Sequence, residues 1–287
     1  MEVIVFEKHL RNKMMIGVLI GILILACSHY YALRSYIIMF PYSYYHNQLS
    51  EKKQNDYLIE IPTKRRMFKD GWYPGMMVFH DNKGFGSWVN RPVELTVLYR
   101  FGEFHFGEKH STYFDRSSDR FSSFHGAYIV KNKYPFDNIY GYDQDDEIIL
   151  SDIMRITEYD QRWLVMPSIG LSPENVIFEV EIIGIEEKGD FIPSSDLKWT
   201  KIDAFIITNS PEHHYMDKHR GYLQYGRPLA PPTGTDDYFP VTLAGRIYVT
   251  KSEGNDALIA LYALAVNFEI IDQIDEEFLS KTNIRKR

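Results

Sequence analysis

The sequence has a single cysteine, Cys27, among 287 residues. No disulfide can form within the chain, so whatever lies beyond residue 27 has to be held by its packed interior alone. At about 250 residues it can be, because a chain of that size buries well over half of its surface. The lack of bridges favours a bacterial source over a eukaryotic secretory one. Several chemical signatures are missing as well. There is no G-x-S-x-G, no P-loop, no G-x-G-x-x-G and no cysteine nucleophile in the bulk of the chain. Positive charge is scarce where nucleic acid would need it. Four of the 32 basic and two of the 39 acidic residues lie in residues 1–50, which leaves 28 basic against 37 acidic beyond, a net of −9. Such a body is repelled by nucleic acid and by anionic lipid headgroups, and neither is expected as its partner.

Long apolar runs are absent except for one. Met14 to Ala26 is unbroken and follows Lys8, Arg11 and Lys13, the arrangement of an export signal. Read on through Tyr30, Tyr31 and Leu33, the segment reaches the ~20 residues that a membrane-spanning helix needs, with tyrosines at the interface. The competing reading uses Ile24-Leu25-Ala26-Cys27-Ser28, which resembles the bacterial lipobox, although Leu25 is bulky for its position. Cleavage there would leave a lipid on Cys27. Both readings keep the basic flank of residues 1–13 in the cytoplasm and the rest outside, anchored to the membrane of a bacterial envelope. The expected organisation is a basic flank (1–13), an anchor helix (14–33), a tether (34–56) and a globular domain (57–287).

What is plentiful is aromatic. Phe, Trp and Tyr make up 15% of the chain, with 21 Tyr and 18 Phe, a composition that leans to β-structure. Period-two alternation predicts strands over Val93–Phe101, Val176–Ile182 and Val241–Val249. Weaker patterns suggest strands over Tyr57–Ile61, Ser123–Lys131, Trp163–Met166, Ile202–Thr208 and Leu258–Val266. Ile149, Ile153 and Ile156 predict an amphipathic helix from about Asp146 to Tyr159, and a second is expected from about Phe268 to Ser280. Without βα alternation the expected fold class is α+β and β-dominated, mostly antiparallel with one or two packed helices.

Four stretches could carry chemistry. "FGEFHFGEKH" repeats F-G-E-x-H, so a hairpin at Gly107 could gather Glu103, His105, Glu108 and His110 about a zinc-like ion. The simpler reading is a solvated strand face, with no bound metal. "NSPEHHYMDKHRGY" offers His213, His214, Asp217 and His219 as acid–base candidates on a short helix capped by Ser210 and Pro211. Asp143, Asp145, Asp146 and Glu147 could bind calcium, but read more simply as caps for the helix that follows. Trp72, Tyr73, Phe85 and Trp88 sit among glycines at 70–92, where exposed rings would grip a ligand or close a sheet edge. No cofactor is expected. The composition points to a non-enzymatic domain that binds a protein or an envelope component. The alternative is an envelope hydrolase built on the histidines and carboxylates above.

Overall fold

The structure, a computed structural model, describes residues 14–25, 56–62, 72, 76–102, 113, 116–134, 138–168, 171–189, 191–192, 197–211, 238–252, 254 and 256–286. Residues 14–25 form a helix, α1, whose large apolar side chains from Met14 to Leu25 are all exposed. At 1.5 Å per residue it is about 18 Å long, and no helix among the described residues is long and apolar enough to cross a membrane. Cys27 and residues 34–55 of the expected tether lie outside the described residues.

The body is β-dominated and antiparallel. Its strands are β1 (Tyr57–Glu60), β2 (Met77–Asp81), β3 (Val93–Phe101), β4 (Phe124–Asn132), β5 (Phe178–Lys188), β6 (Trp199–Pro211), β7 (Tyr238–Lys251), β8 (Ala257–Ala265) and β9 (Asn283–Lys286). Seven of them make one sheet in the order β2-β3-β4-β8-β7-β6-β5, and β1 pairs with β9 apart from it. The helices of the body are α2 (Gly84–Val89), α3 (Leu150–Tyr159) and α4 (Phe268–Glu277).

Both faces of this sheet are covered, which explains its least regular sequence. β8 reads ALIALYALA and all nine residues are buried. A strand packed on both sides needs no polar face, so the alternation that marks half-buried strands disappears. Leu258, Ala260, Tyr262 and Leu264 meet the α2–α3 side, together with Leu95, Val97 and Tyr99 of β3. Ile259, Leu261, Ala263 and Ala265 meet the other side, where Ile270, Ile271, Ile274 and Phe278 of the α4 region pack beside Tyr57 and Ile59 of β1. Gly126 in β4 marks the tightest contact, since a Cβ there would lie 1.7 Å from the Leu98 carbonyl oxygen.

Three expectations are corrected. Trp163–Met166 is not a strand: α3 continues as a π-helical turn, Asp160–Val165, and a last helical stretch, Met166–Ser168. The helix starts at Leu150 rather than Asp146, and the acids before it do not cap it. Instead, the Asp143 carboxylate accepts the backbone N–H groups of Asp145 and Glu147, both at 2.9 Å, and closes a turn of its own. Ser210 and Pro211 end β6 and do not begin a helix.

Two elements went unforeseen in the 70–92 stretch. Strand β2 pairs with β3 from Met77↔Tyr99 to Asp81↔Leu95. Helix α2 is then started by Asp81, whose carboxylate accepts the N–H groups of Lys83, Gly84 and Phe85 at 2.9, 2.6 and 3.1 Å. It ends on Asn90 in the left-handed conformation, φ 53°. The glycine at 86 leaves room for β3, because a Cβ there would sit 2.6 Å from the Val93 carbonyl oxygen.

Candidate functional site

Two kinds of place in the molecule hold unusual chemistry: sealed polar groups inside, and an open margin of the sheet. The sealed groups come first. The π turn swings Asp160 into the core, where it is 0% exposed. Tyr99 donates a hydrogen bond to its Oδ1, and Tyr128 donates to Oδ2 at 2.7 Å. Tyr128 stacks on Tyr262 with ring centroids 4.2 Å apart. Burial penalises the carboxylate more than the two hydroxyls stabilise it, and its pKa is pushed up to about 7. A π turn with a shifted acid has the look of an active site. But Asp160 is sealed from solvent, and the cavity that reaches its neighbour Tyr262 holds about 20 Å³, room for about one water.

A second sealed group lies on the opposite face. His125 is 0% exposed and stacks on Phe278 at 5.0 Å, while the edge of Trp72 meets it at 4.7 Å. Neither ring nitrogen has a hydrogen-bond partner among the described residues. Burial first, and then the nearby Arg100 charge, hold its pKa well below the ordinary value, so it is a neutral ring inside an aromatic stack.

The aromatics expected to be exposed at 70–92 are corrected by the same packing. Phe85 is fully buried against Tyr140 and Tyr159, and Trp72 is buried beside His125. Trp88 is half-buried, leaning on Tyr159 with the Arg155 guanidinium 5.4 Å from its ring. Phe85 and Trp72 close the sheet, and Trp88 keeps part of its ring exposed. Tyr73, Glu103, His105, Glu108, His110, His213, His214, Asp217 and His219 lie outside the described residues. Among the described residues no three of His, Cys, Asp and Glu are gathered so as to hold a metal ion.

The open margin is formed by β5 and β6. Ile182, Ile183 and Ile185 of β5 are 36%, 48% and 53% exposed, and Phe205 of β6 is 40% exposed. The cause is the placement of the helices. On one face α4 is drawn toward β6 and β7 by Arg246, which bonds Asp203 (2.6 Å), Asp272 (2.7 Å) and Asp275 (2.6 Å). The Tyr248 hydroxyl donates to Asp275 at 2.7 Å, and Phe268 meets Phe205 edge-on at 5.7 Å. Beyond Phe205 a groove of about 420 Å³ runs between Glu179, Glu181, Ile207 and Thr242.

On the other face the margin borders a cleft of about 760 Å³, walled by the 142–150 loop and the ends of β5, β6 and β7. Its charged lining is mixed: Asp146, Glu147 and Glu187 against Lys198 and Lys251. Lys251 pairs with Asp146 and lies 4.4 Å from the Tyr142 ring centre. Asp146 and Glu147, two of the four acids singled out in the sequence at 143–147, therefore lie on a cleft wall.

Sequence reasoning passed over this margin, although one signal was there to be read. β5 runs Phe178-Glu-Val-Glu-Ile-Ile-Gly-Ile-Glu-Glu-Lys188, and its alternation breaks at Ile182-Ile183. Two adjacent isoleucines in an alternating strand require one of them to face outward or a bulge to absorb it. Here the register with β6 shifts between Ile182 and Gly184. Comparison with known proteins finds no family model, no curated protein and no solved structure that the chain matches.

Proposed function

We propose that this protein is a membrane-anchored binding domain, displayed outside the cytoplasm, that engages a protein or envelope partner without chemistry of its own. The observation that supports it best is the contrast between its two kinds of site. The acid with a catalytic-type shift, Asp160, is enclosed by tyrosines, whereas four of the seven exposed large apolar side chains among the described residues of the body, Ile182, Ile183, Ile185 and Phe205, share one sheet margin bordered by clefts. Large apolar side chains grouped on a surface and bordered by clefts mark interaction sites. Anchoring is supported by α1, which is apolar on every side and exposed on every side. A helix of that kind has no core to pack against and is at home in lipid.

A photo-crosslinking residue placed at Ile183 of the full-length protein, in cells of its source, tests the reading. A discrete adduct at Ile183, absent when the same group replaces exposed Phe79 of β2 at the opposite edge of the sheet, is the expected result. Equal or no adducts at the two positions would overturn it.

A further inference from the structure

We propose that the outer edge of β5 receives an extended, basic segment of another protein, which adds to the sheet as its next strand. This rests on reading the molecule as a binding domain, and it names the chemistry of the partner.

The backbone carries the first part of the argument. β5 is the last strand of the sheet, and among the described residues its only partner is β6, on its inner side. It is 11 residues long and has no proline, so a row of N–H and C=O groups faces outward, unpaired among the described residues. The opposite edge, β2, has only five residues. An unpaired edge of β5's length is the template that strand addition uses, with main-chain hydrogen bonds for affinity and alternate side chains for specificity.

The side chains carry the second part. Ile183 has no register partner on β6, because the bulge falls there, and it is 48% exposed. Ile182 and Ile185 lie on the cleft side of the strand, in register with Ala204 and Ile202. An added strand would cover all three.

Charge decides between occupants. Glu179, Glu181 and Glu187 have no ion pair among the described residues, while Glu186 is held by Lys188 (2.9 Å) and Lys201 (3.1 Å). Glu179 and Glu181 lie on one face, opposite Ile207 and Phe205 in register. A second copy of this chain fits poorly. In each central antiparallel register of β5 on itself, Glu179 or Glu181 of one copy falls directly opposite Glu186 or Glu187 of the other. Like charges facing across a ladder are destabilising. The same glutamates that reject a second copy favour a strand with Lys or Arg at alternate positions, so a single feature repels one partner and attracts another.

The test uses full-length protein in discs of zwitterionic lipid, which gives basic peptides no anionic surface to bind. The probes are three fluorescent peptides: alternating Lys-Val, alternating Glu-Val, and the Lys-Val peptide with a central proline. The Lys-Val peptide should bind, weaken at least fivefold between 50 and 500 mM salt, and slow hydrogen exchange in residues 178–188 at least tenfold. The other two should not bind. The exposed double substitution Glu179→Lys with Glu181→Lys should lose at least tenfold in affinity while melting as the parent does. Binding of the Glu-Val peptide as well as the Lys-Val one would overturn the proposal. So would binding without protection of β5, or a dimer that protects β5 with no peptide present. Such a result beside a discrete crosslink at Ile183 removes the basic strand and leaves the binding reading standing; with no crosslink, both fall.

Discussion

Asp160 shows what burial does to a single carboxylate. Its folded pKa is raised to about 7 from an ordinary value of 3.8. The folded protein therefore holds a proton at pH values where the unfolded chain has released it. Stability from this group is fullest below the unfolded pKa and is lost as pH rises toward the folded one. Between pH 5 and 8 the loss is on the order of 3 kcal/mol, from roughly two pH units at 1.36 kcal/mol each. Asp160→Asn keeps an acceptor for the tyrosines and cannot ionise. Thermal melts should show it flattening the decline between pH 5 and 8 and overtaking the parent at pH 8; parallel curves would mean that Asp160 is charged in the fold. The residue was partly legible. Ile153, Ile156 and Asp160 follow helical spacing, so a helix read one turn further would have put a carboxylate on its buried stripe. Nothing in the sequence marks the three tyrosines that gather around it, because Tyr99, Tyr128 and Tyr262 come from strands far apart in the chain.

Among the elements, those whose chemistry alternates were legible and those without alternation were blurred. β3 shows its period because Glu94, Thr96 and Arg100 alternate with its apolar side chains, although eight of its nine residues are buried, and the α3 stripe shows its own because one side of that helix packs on the sheet. The strand wrongly expected at Trp163–Met166 falls at the π turn. There the short apolar run Trp163-Leu164-Val165-Met166 reads as a strand, whereas the helical run exposes Trp163 and buries Val165 and Met166. α2 was missed because Gly84 and Gly86 read as loop, and β2 because its five residues lie between turn-like stretches, whereas Gly86 serves the close approach of β3. The α3 placement makes a firm prediction. Ile153 is 0% exposed and Trp163, further along the same helical run, is 45% exposed. Ile153→Asp should bury an unpaired charge and prevent stable folding, while Trp163→Asp should leave the melting temperature within a degree or two. In the sheet, Gly126→Ala would drive a methyl into the Leu98 carbonyl between β4 and β3. It should cost at least ~2 kcal/mol, read as a lower denaturant midpoint with an unchanged slope.

At the scale of the whole molecule, the chain is divided by charge and by solvent. An apolar segment follows a basic flank, and the body beyond carries the net of −9. Those features were plain in composition, but the acidic edge was not, because which glutamates find partners depends on strands brought together across the fold. Ahead of β1 the architecture allows a clean cut. β1 begins at Tyr57 and pairs with β9 from Tyr57↔Lys286 to Glu60↔Asn283, and Arg285 holds Glu60 at 2.7 Å. A chain starting near Gln48 retains every described element of the body and loses only α1 and most of the tether. It should therefore melt as the full chain does, yet stay in the supernatant when the full chain floats with vesicles. Equal flotation would place the membrane contact in the body and not in residues 14–33. Mass spectrometry of the mature N-terminus then separates the two anchors. An intact Met1 on membrane-bound protein requires the apolar segment itself to hold the bilayer, so the helix would continue past Leu25 toward Leu33 to reach ~30 Å. A diacylglycerol-modified Cys27 at the N-terminus instead means that residues 14–26 were a signal, removed once the lipid was in place.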